Sequence, residues 1–244
     1  MTLDRVALIN LDRSTDRLGR FKIVNGFLPG AERFAAVDGR TLDRRTLQST
    51  GLLDPQVSYT DGALGCALSH FTQWQRAVDE GMDVTVCEDD AVFNWGFVDK
   101  AANVLQALGS RWDIVLWGWN FDSLLWADAL PGVSPSLICL DQNGLRSHLE
   151  RYQALDVEPR PLKLLHAFGI MCYSVSAGGA KKLLDACRPI RAMNVVVPGL
   201  PQPVRNSGID VMLNAVYRHI DAFVAFPPLV VSPNDRASSL IQTA

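Results

Sequence analysis

The sequence lacks an excess of positive charge. Its 244 residues include 23 lysines and arginines against 26 aspartates and glutamates, which gives a formal net charge of −3 at pH 7. Proteins that bind nucleic acid neutralise its phosphates with a basic surface. We therefore expect no nucleic-acid partner. An anionic ligand such as a nucleotide would have to be bound by locally placed positive charge, either a cation or a few well-placed arginines.

Long apolar runs are also missing, since none approaches the ~20 residues that a membrane-spanning helix needs. Residues 1–11 contain Asp4 and Arg5 and precede no small-residue cleavage site, unlike a secretory signal. The five cysteines are an odd number, widely spaced and mostly among apolar neighbours, which is typical of reduced thiols. We expect a cytoplasmic protein without a transmembrane segment. A peripheral membrane contact stays open, although no strongly basic amphipathic helix is evident.

Short apolar runs alternate with amphipathic segments in the first half of the chain. Residues 62–80 place apolar side chains at helical spacing and end before Gly81, a common helix terminator. This alternation predicts an α/β fold, with a mostly parallel sheet flanked by helices on both faces and ligands at the carboxyl ends of its strands. The predicted strands are residues 6–11, 32–37, 84–87 and 112–119, and the predicted helices are residues 14–24, 62–80 and 95–108.

The second half of the chain begins with a less regular segment. Residues 120–165 contain several prolines and have weak periodicity, so we interpret them as an insertion or lid within a single domain, residues 1–244. Beyond it we predict strands at residues 167–174 and 222–232, helices at residues 176–186 and 209–219, and a proline-containing loop at residues 189–206.

Three consecutive carboxylates, Glu88, Asp89 and Asp90, follow the apolar strand at residues 84–87. Like charges this close repel one another and raise each other's pKa, so a positive group is needed beside them. Mg²⁺ or Mn²⁺ would serve, because both prefer hard oxygen ligands. In an extended chain, Glu88 and Asp90 project to the same side and are the better metal ligands. Asp89 is then free to hydrogen-bond a ribose, a sugar hydroxyl or the local backbone.

A simpler interpretation of this triplet is also open. Carboxylates are common near helix N-termini, where they interact favourably with the helix dipole. Glu88, Asp89 and Asp90 could therefore face solvent and cap the next helix. Their position directly after a fully apolar strand favours the metal-binding interpretation.

Several segments occur in an order that resembles the family 25 glycosyltransferases, which include bacterial lipooligosaccharide galactosyltransferases and the related collagen galactosyltransferases. The resemblance covers nearly the whole chain, and no single segment decides it. The matching segments are residues 9–14 with Arg17, 37–39, 62–70, 88–90, 176–183, 208–210, 227–230 and 238–241.

The resemblance implies a GT-A-like (Rossmann-like) fold and a nucleotide-sugar donor, usually a UDP-sugar. It also implies transfer of a hexose, for example galactose or glucose, with inversion at the anomeric carbon. Residues 1–119 would form the nucleotide-sugar-binding half, residues 120–165 the lid and residues 166–244 the acceptor-side half. Lipopolysaccharide biosynthesis is the expected context, with a glycolipid, an oligosaccharide or a peptide as the acceptor.

Such a reaction needs a cation beside the departing diphosphate and a base for the acceptor hydroxyl. The resemblance implies Glu88 and Asp90 as ligands of Mn²⁺ or Mg²⁺. Asp210 is the candidate base because it starts a helix after a loop, although it could be an ordinary helix N-terminal carboxylate. The residues expected to contact the donor are Asn10, Leu11, Asp12, Arg17, Asp38, Gly39, Ser69, His70 and Asp89.

Two other functions stay open. A nucleotidyltransferase or another nucleotide-sugar enzyme also uses strand-end carboxylates with Mg²⁺, but no G-x-x-x-x-G-K phosphate loop is present in this sequence. A non-catalytic sugar-binding or partner-binding domain on the same fold is the third possibility. His219 is a weaker candidate for an additional metal ligand.

Overall fold

The computed structural model describes residues 5–234, along which strands alternate with helices. The strands are β1 (Val6–Asn10), β2 (Ala31–Ala35), β3 (Val84–Glu88), β4 (Val92–Phe93), β5 (Ile114–Leu116), β6 (Leu125–Leu130), β7 (Ser134–Ile138), β8 (Arg160–Ala167), β9 (Cys172–Val175), β10 (Asn194–Val195), β11 (Val204–Arg205), β12 (Ala222–Phe226) and β13 (Val230–Val231). The helices are α1 (Thr15–Val24), α2 (Arg44–Ser49), α3 (Asp61–Glu80), α4 (Phe97–Leu108), α5 (Gln142–Arg146), α6 (Leu149–Gln153), α7 (Ala177–Cys187) and α8 (Ile209–Leu213). Short 3₁₀ turns occupy Gly39–Thr41 and Tyr217–His219.

Nine strands form one mixed sheet in the order β2-β1-β3-β9-β5-β12-β8-β6-β7. β1 runs parallel to β2 and β3, and β5 runs parallel to β12. β9 lies between β3 and β5 and is antiparallel to both. β8, β6 and β7 continue the sheet with antiparallel pairing. The predicted GT-A-like α/β class is confirmed. The sheet is mixed, because the parallel pairs β1–β2 and β1–β3 are separated from the parallel pair β5–β12 by the antiparallel β9.

Side chains alternate between the two faces of the sheet, and helices cover both faces. On β3, Val86 packs into the core formed with α3 and α7, whereas Cys87 packs into the core formed with α1 and α4. The aromatic residues Trp74 of α3 and Phe97 of α4 are fully buried in these two layers. Burying a large apolar side chain contributes about 1.5–3 kcal/mol, so both layers contribute to the free energy of folding.

Helix α3 forms where its periodicity predicts, because both of its ends carry local signals. The hydroxyl of Thr60 accepts a hydrogen bond of 3.0 Å from the backbone N–H of Ala63 at the first turn. Gly81 ends the helix in the left-handed conformation, with φ of 63°. One face of α3 is buried against the sheet, and that face includes His70.

The second half departs from the predicted element bounds. The predicted strand at residues 167–174 is two strands, β8 and β9, joined by a turn through Gly169. The strand predicted at residues 222–232 is interrupted after Phe226, because Pro227 and Pro228 have no N–H to donate to a ladder. The helix predicted at residues 209–219 is the shorter α8 followed by a 3₁₀ turn.

Residues 120–165, expected to be an insertion or lid, contain the β6–β7 hairpin, α5, α6 and the first part of β8. The strands of this segment extend the main sheet through β8 and β6. Its role as a lid, and the division of the chain into halves, stay predictions. The motif at residues 238–241 lies outside the described residues. Within the described part of the chain, no helix is both long enough and apolar enough to cross a membrane.

Candidate functional site

A cleft of about 1120 Å³ opens at the carboxyl ends of β1 and β3 and is lined by most of the residues that the sequence singled out. Parallel strands end at the same edge of a sheet, so their terminal side chains come together there. The predicted site residues that line the cleft are Asn10, Leu11, Arg17, Asp38, Gly39, Ser69, His70, Glu88, Asp89, Asp90 and Asp210. The functional roles of these residues stay predictions.

Asp89 is bound by side chains from α1 and β1. Its Oδ1 accepts a hydrogen bond of 2.8 Å from Nε of Arg17, and Nη2 of Arg17 donates to the same oxygen. Its Oδ2 accepts a hydrogen bond of 2.7 Å from Nδ2 of Asn10. Such charge-assisted bonds are about twice as strong as neutral ones. The guanidinium of Arg17 therefore supplies part of the positive charge that three adjacent carboxylates require.

Only one of the two carboxylate oxygens of Asp90 has a hydrogen-bond partner among the described residues. Its Oδ2 accepts a hydrogen bond of 2.9 Å from the hydroxyl of Ser232. Its Oδ1 is buried and has no hydrogen-bond partner among the described residues. Burial raises the pKa of Asp90 to about 6, and the neighbouring charge of Glu88 acts in the same direction. Burying a carboxylate oxygen without a partner costs free energy. A hard divalent cation bound to Oδ1 would offset that cost.

Glu88 lies between two possible sets of metal ligands. With Asp90 it offers carboxylate oxygens, which suit Mn²⁺ or Mg²⁺. With Cys66 and His70 it offers a sulfur, a nitrogen and an oxygen that lie within 4.8 Å of one another, a set that suits Zn²⁺. Burial raises the pKa of the Cys66 thiol, and the charges of Glu88, Asp210 and Asp90 raise it further. Mn²⁺ and Mg²⁺ prefer oxygen ligands, so the set with Asp90 suits these two ions better than the mixed set does.

Asp38 forms part of the cleft wall and is paired with arginines. It accepts hydrogen bonds from the side chain of Arg40 and also pairs with Arg13. The bonds from the Arg40 side chain, followed by those from its backbone N–H and from Arg13, hold the pKa of Asp38 well below its usual range although desolvation opposes them. Asp38 is therefore ionised at neutral pH, and the two arginines place positive charge in the part of the cleft expected to bind a nucleotide.

Ser69 and Gly39 join the loop that carries Asp38 to helix α3. The hydroxyl of Ser69 accepts a hydrogen bond of 2.9 Å from the N–H of Val37 and donates one of 2.7 Å to the carbonyl of Gly65. A Cβ added at Gly39 would lie 1.6 Å from the carbonyl oxygen of Asp61. Only glycine permits this approach. The two motifs at residues 37–39 and 62–70 therefore pack directly against each other.

Asp210 is in the first turn of α8 and lines the same cleft. Its Oδ2 accepts a hydrogen bond of 3.0 Å from the N–H of Gly169, and its Oδ1 accepts one of 2.9 Å from the N–H of Val211. Burial raises the pKa of Asp210, whereas these two backbone bonds act to lower it. Asp210 is thus a helix-start carboxylate that also lines the cleft, and its role as a base stays a prediction.

Two sequence-derived candidates lie elsewhere. Asp12 is exposed, is not among the residues that line the cleft, and pairs with Arg33. His219 lines a separate pocket of about 180 Å³ together with residues such as Met193 and Met212. The hypothesis that His219 joins Glu88 and Asp90 as a ligand is therefore wrong, because the short α8 and its following 3₁₀ turn direct it to that other pocket.

Several cleft residues were not identified from the sequence. Ser232 follows β13 and contacts Asp90, and Gly169 supplies an amide to Asp210 from a turn where its φ is 83°. Tyr59 also lines the cleft, and its hydroxyl donates a hydrogen bond of 2.8 Å to Oδ1 of Asn206. No local sequence pattern marks these residues, because their partners lie at least 41 positions away.

Comparison with known proteins agrees with the resemblance. Residues 4–197 match the profile described as Glycosyltransferase family 25 (LPS biosynthesis protein). Procollagen galactosyltransferase 1 of Danio rerio is 28% identical over 247 residues, which cover 94% of this chain and 36% of that protein. A Glycosyltransferase 25 family member of Drosophila pseudoobscura pseudoobscura is 35% identical over 132 residues, which cover 48% of this chain and 21% of that protein.

A relative from Mus musculus is named Inactive glycosyltransferase 25 family member 3. It is 28% identical over 245 residues, which cover 96% of this chain and 37% of the mouse protein. The chain thus spans little more than a third of the length of the zebrafish and mouse relatives, and less of the Drosophila protein.

Proposed function

The chain belongs to glycosyltransferase family 25, and from that premise we propose that it is an inverting glycosyltransferase. It moves a hexose, such as galactose or glucose, from a UDP-sugar to an acceptor hydroxyl. The observation that supports this proposal best is the meeting of Glu88, Asp90 and Asp210 in one cleft of about 1120 Å³. This cleft is large enough for a nucleotide-sugar, since ligand pockets are commonly about 300–1,000 Å³.

The proposed cofactor is Mn²⁺ or Mg²⁺, and Glu88 and Asp90 would bind it. The buried Oδ1 of Asp90, which has no hydrogen-bond partner among residues 5–234, supports this assignment, as does the ion pair between Asp89 and Arg17. A cation at this position would neutralise charge on the departing diphosphate. Asn10, Leu11, Asp38 and Gly39 are proposed to contact the nucleotide from the neighbouring strand ends and loop.

Asp210 is the proposed base. An oxygen of the acceptor attacks the anomeric carbon, the bond from that carbon to the diphosphate oxygen breaks, and the diphosphate leaves with the electron pair. The proton of the acceptor hydroxyl passes to a carboxylate oxygen of Asp210. A single displacement of this kind inverts the anomeric centre. The N–H groups of Gly169 and Val211 orient this carboxylate, and its raised pKa increases its affinity for the proton.

The acceptor is proposed only by class. The description of the family as an LPS biosynthesis protein favours a glycolipid, and the name of the zebrafish relative favours a peptide. An oligosaccharide is the third class. Residues 166–244, which include Asp210, would provide the acceptor side of the cleft, and residues 120–165 would cover it. A glycolipid acceptor would bring with it a peripheral membrane contact.

The test is to incubate the protein with a panel of nucleotide-sugars, with and without Mn²⁺, and to measure free nucleoside diphosphate. We expect slow, metal-dependent release from one donor, and faster release when a suitable acceptor is added. Release of pyrophosphate would instead indicate a nucleotidyltransferase. Tight donor binding without turnover, even with candidate acceptors, would contradict the proposal.

A second candidate function is non-catalytic sugar or partner binding on the same fold. The name of the mouse relative, Inactive glycosyltransferase 25 family member 3, favours this alternative. It predicts that Asp210→Asn leaves function unchanged, because a binding domain needs no base. The proposed transferase predicts that the same change removes transfer and preserves donor binding.

A further inference from the structure

A buried chain of hydrogen bonds leads from the core to Glu88. Nε1 of Trp74 lies 2.8 Å from the hydroxyl of Tyr173, and that hydroxyl lies 2.9 Å from Nδ1 of His70. Nε2 of His70 lies 3.3 Å from Oε1 of Glu88. Trp74, Tyr173 and His70 are each fully buried, and Glu88 lines the cleft. The chain thus connects the core layer around α3 with the candidate metal site.

The direction of these hydrogen bonds follows from the chemistry of the groups. The indole N–H of Trp74 is only a donor, so the Tyr173 oxygen accepts from it. The hydroxyl hydrogen of Tyr173 then needs an acceptor, because buried polar groups are almost always paired. Among residues 5–234, the acceptor within reach is Nδ1 of His70. With Nδ1 accepting, the ring carries its hydrogen on Nε2, which donates to Oε1 of Glu88.

We propose that His70 is a positioning residue for Glu88: it holds one oxygen of this carboxylate so that Glu88 can bind the divalent cation. This inference rests on the proposed metal-dependent transferase and assigns the role of a residue that does not itself bind the cation. Replacing a residue that holds a metal ligand in position typically lowers metal affinity by about 10–100-fold. Tyr173 and Trp74 act one step further away by fixing the tautomer of His70.

The competing role for His70 is direct metal binding together with Cys66 and Glu88. Direct binding through Nε2 would require that nitrogen to give up its hydrogen. The hydrogen would then sit on Nδ1 and point at the Tyr173 oxygen, which already accepts from Trp74. The hydroxyl hydrogen of Tyr173 would lose its acceptor in a fully buried position. The chain of hydrogen bonds therefore favours positioning over direct binding.

The test compares His70→Gln with His70→Asn, two amide variants of nearly equal polarity. The amide of glutamine reaches the region of Nε2 and can still donate to Glu88. The shorter asparagine reaches the region of Nδ1, so it keeps a partner for Tyr173 but cannot reach Glu88. Mn²⁺ affinity is measured in the presence of UDP by titration calorimetry and by the electron paramagnetic resonance signal of free Mn²⁺. Thermal unfolding of each variant is measured in parallel.

We expect His70→Asn to weaken Mn²⁺ binding by about tenfold or more, and His70→Gln to bind nearly as tightly as the original protein. Equal losses in both variants, or no loss in either, would overturn the proposal. Direct binding would instead show as a thiolate-to-metal charge-transfer band with Co²⁺ that disappears in Cys66→Ser, which also overturns it. Because the readout is metal affinity, a protein that binds Mn²⁺ but transfers no sugar would refute the proposed function and leave this inference standing.

Discussion

Two groups of carboxylates in the cleft are supported in different ways. At the end of β3, Asp89 and Asp90 are bound by the side chains of Arg17, Asn10 and Ser232. At the start of α8, Asp210 is bound by the backbone N–H groups of Gly169 and Val211. The first group depends on which side chains are present, and the second depends on the path of the backbone. The two groups should therefore respond to different kinds of substitution.

The strongest test of this difference is Asp210→Asn. Asparagine keeps an oxygen for the N–H of Gly169 but cannot take a proton from the acceptor. We expect kcat to fall by about 10²–10⁴-fold, the usual contribution of a general base, while binding of UDP-sugar and Mn²⁺ is preserved. Steady-state kinetics and calorimetry would measure the two quantities. Loss of donor binding together with turnover would show that the two groups are not functionally separate.

The next largest effect is expected for Arg17→Met, which removes the guanidinium beside Asp89. Losing one partner of a buried ion pair costs about 3–5 kcal/mol, and because Arg17 is 26% exposed we expect about 2 kcal/mol in the free energy of unfolding. Chemical denaturation would measure it. In the background of Asp89→Asn the same substitution should cost much less, and an equal cost in both backgrounds would contradict the ion-pair explanation.

Asp90→Asn should act on metal binding. It preserves the shape of the side chain and a partner for Ser232, but removes a charge. We expect Mn²⁺ affinity to fall by at least about tenfold. Thermal stability without added cation should be unchanged or higher, because repulsion between Asp90 and Glu88 is relieved. Unchanged Mn²⁺ affinity would remove Asp90 from the proposed ligands.

The smallest effect is expected for Gly169→Ala, which changes the backbone beneath Asp210. The φ of 83° at this position costs a residue with a Cβ about 1–2 kcal/mol, and the new Cβ would lie 2.4 Å from Oδ1 of Asn120. We expect stability to fall by about that amount and kcat to fall by less than in Asp210→Asn, with unchanged Mn²⁺ affinity. Gly178→Ala is the matched control, since a Cβ there meets no atom of the described part of the chain within 4 Å. A reduced Mn²⁺ affinity in Gly169→Ala would contradict the separation of the two groups.

The better-predicted parts of the molecule are those with local signals. Helix α3 follows from its periodicity, the cap at Thr60 and the stop at Gly81, and β3 follows from its apolar, β-branched sequence. The antiparallel insertion of β9 could not be predicted, because an apolar run does not encode the direction in which a strand joins a sheet. The contact of Ser232 with Asp90 spans 142 positions and depends on that topology.

The surroundings of Glu88, Asp89 and Asp90 were also only partly predictable from the sequence. Its repulsion correctly indicated that a positive group must lie nearby, and the sequence suggested a cation for that role. The structure shows the guanidinium of Arg17 at Asp89, 72 positions away in the chain. The need for positive charge was therefore predictable from adjacent residues, whereas its source depended on how α1 packs beside β3.

The pairing of β9 with β3 sets Tyr173 opposite Val86, on the face of the sheet that α3 covers. Side chains alternate between the two faces of a strand, so a register shift of one residue moves every side chain of that strand to the opposite face. An inserted residue in β9 would turn Tyr173 toward α1 and α4 and leave His70 without its donor. The proposed metal site therefore depends on strand alignment in the core, and a one-residue insertion there should weaken Mn²⁺ binding without altering any cleft residue.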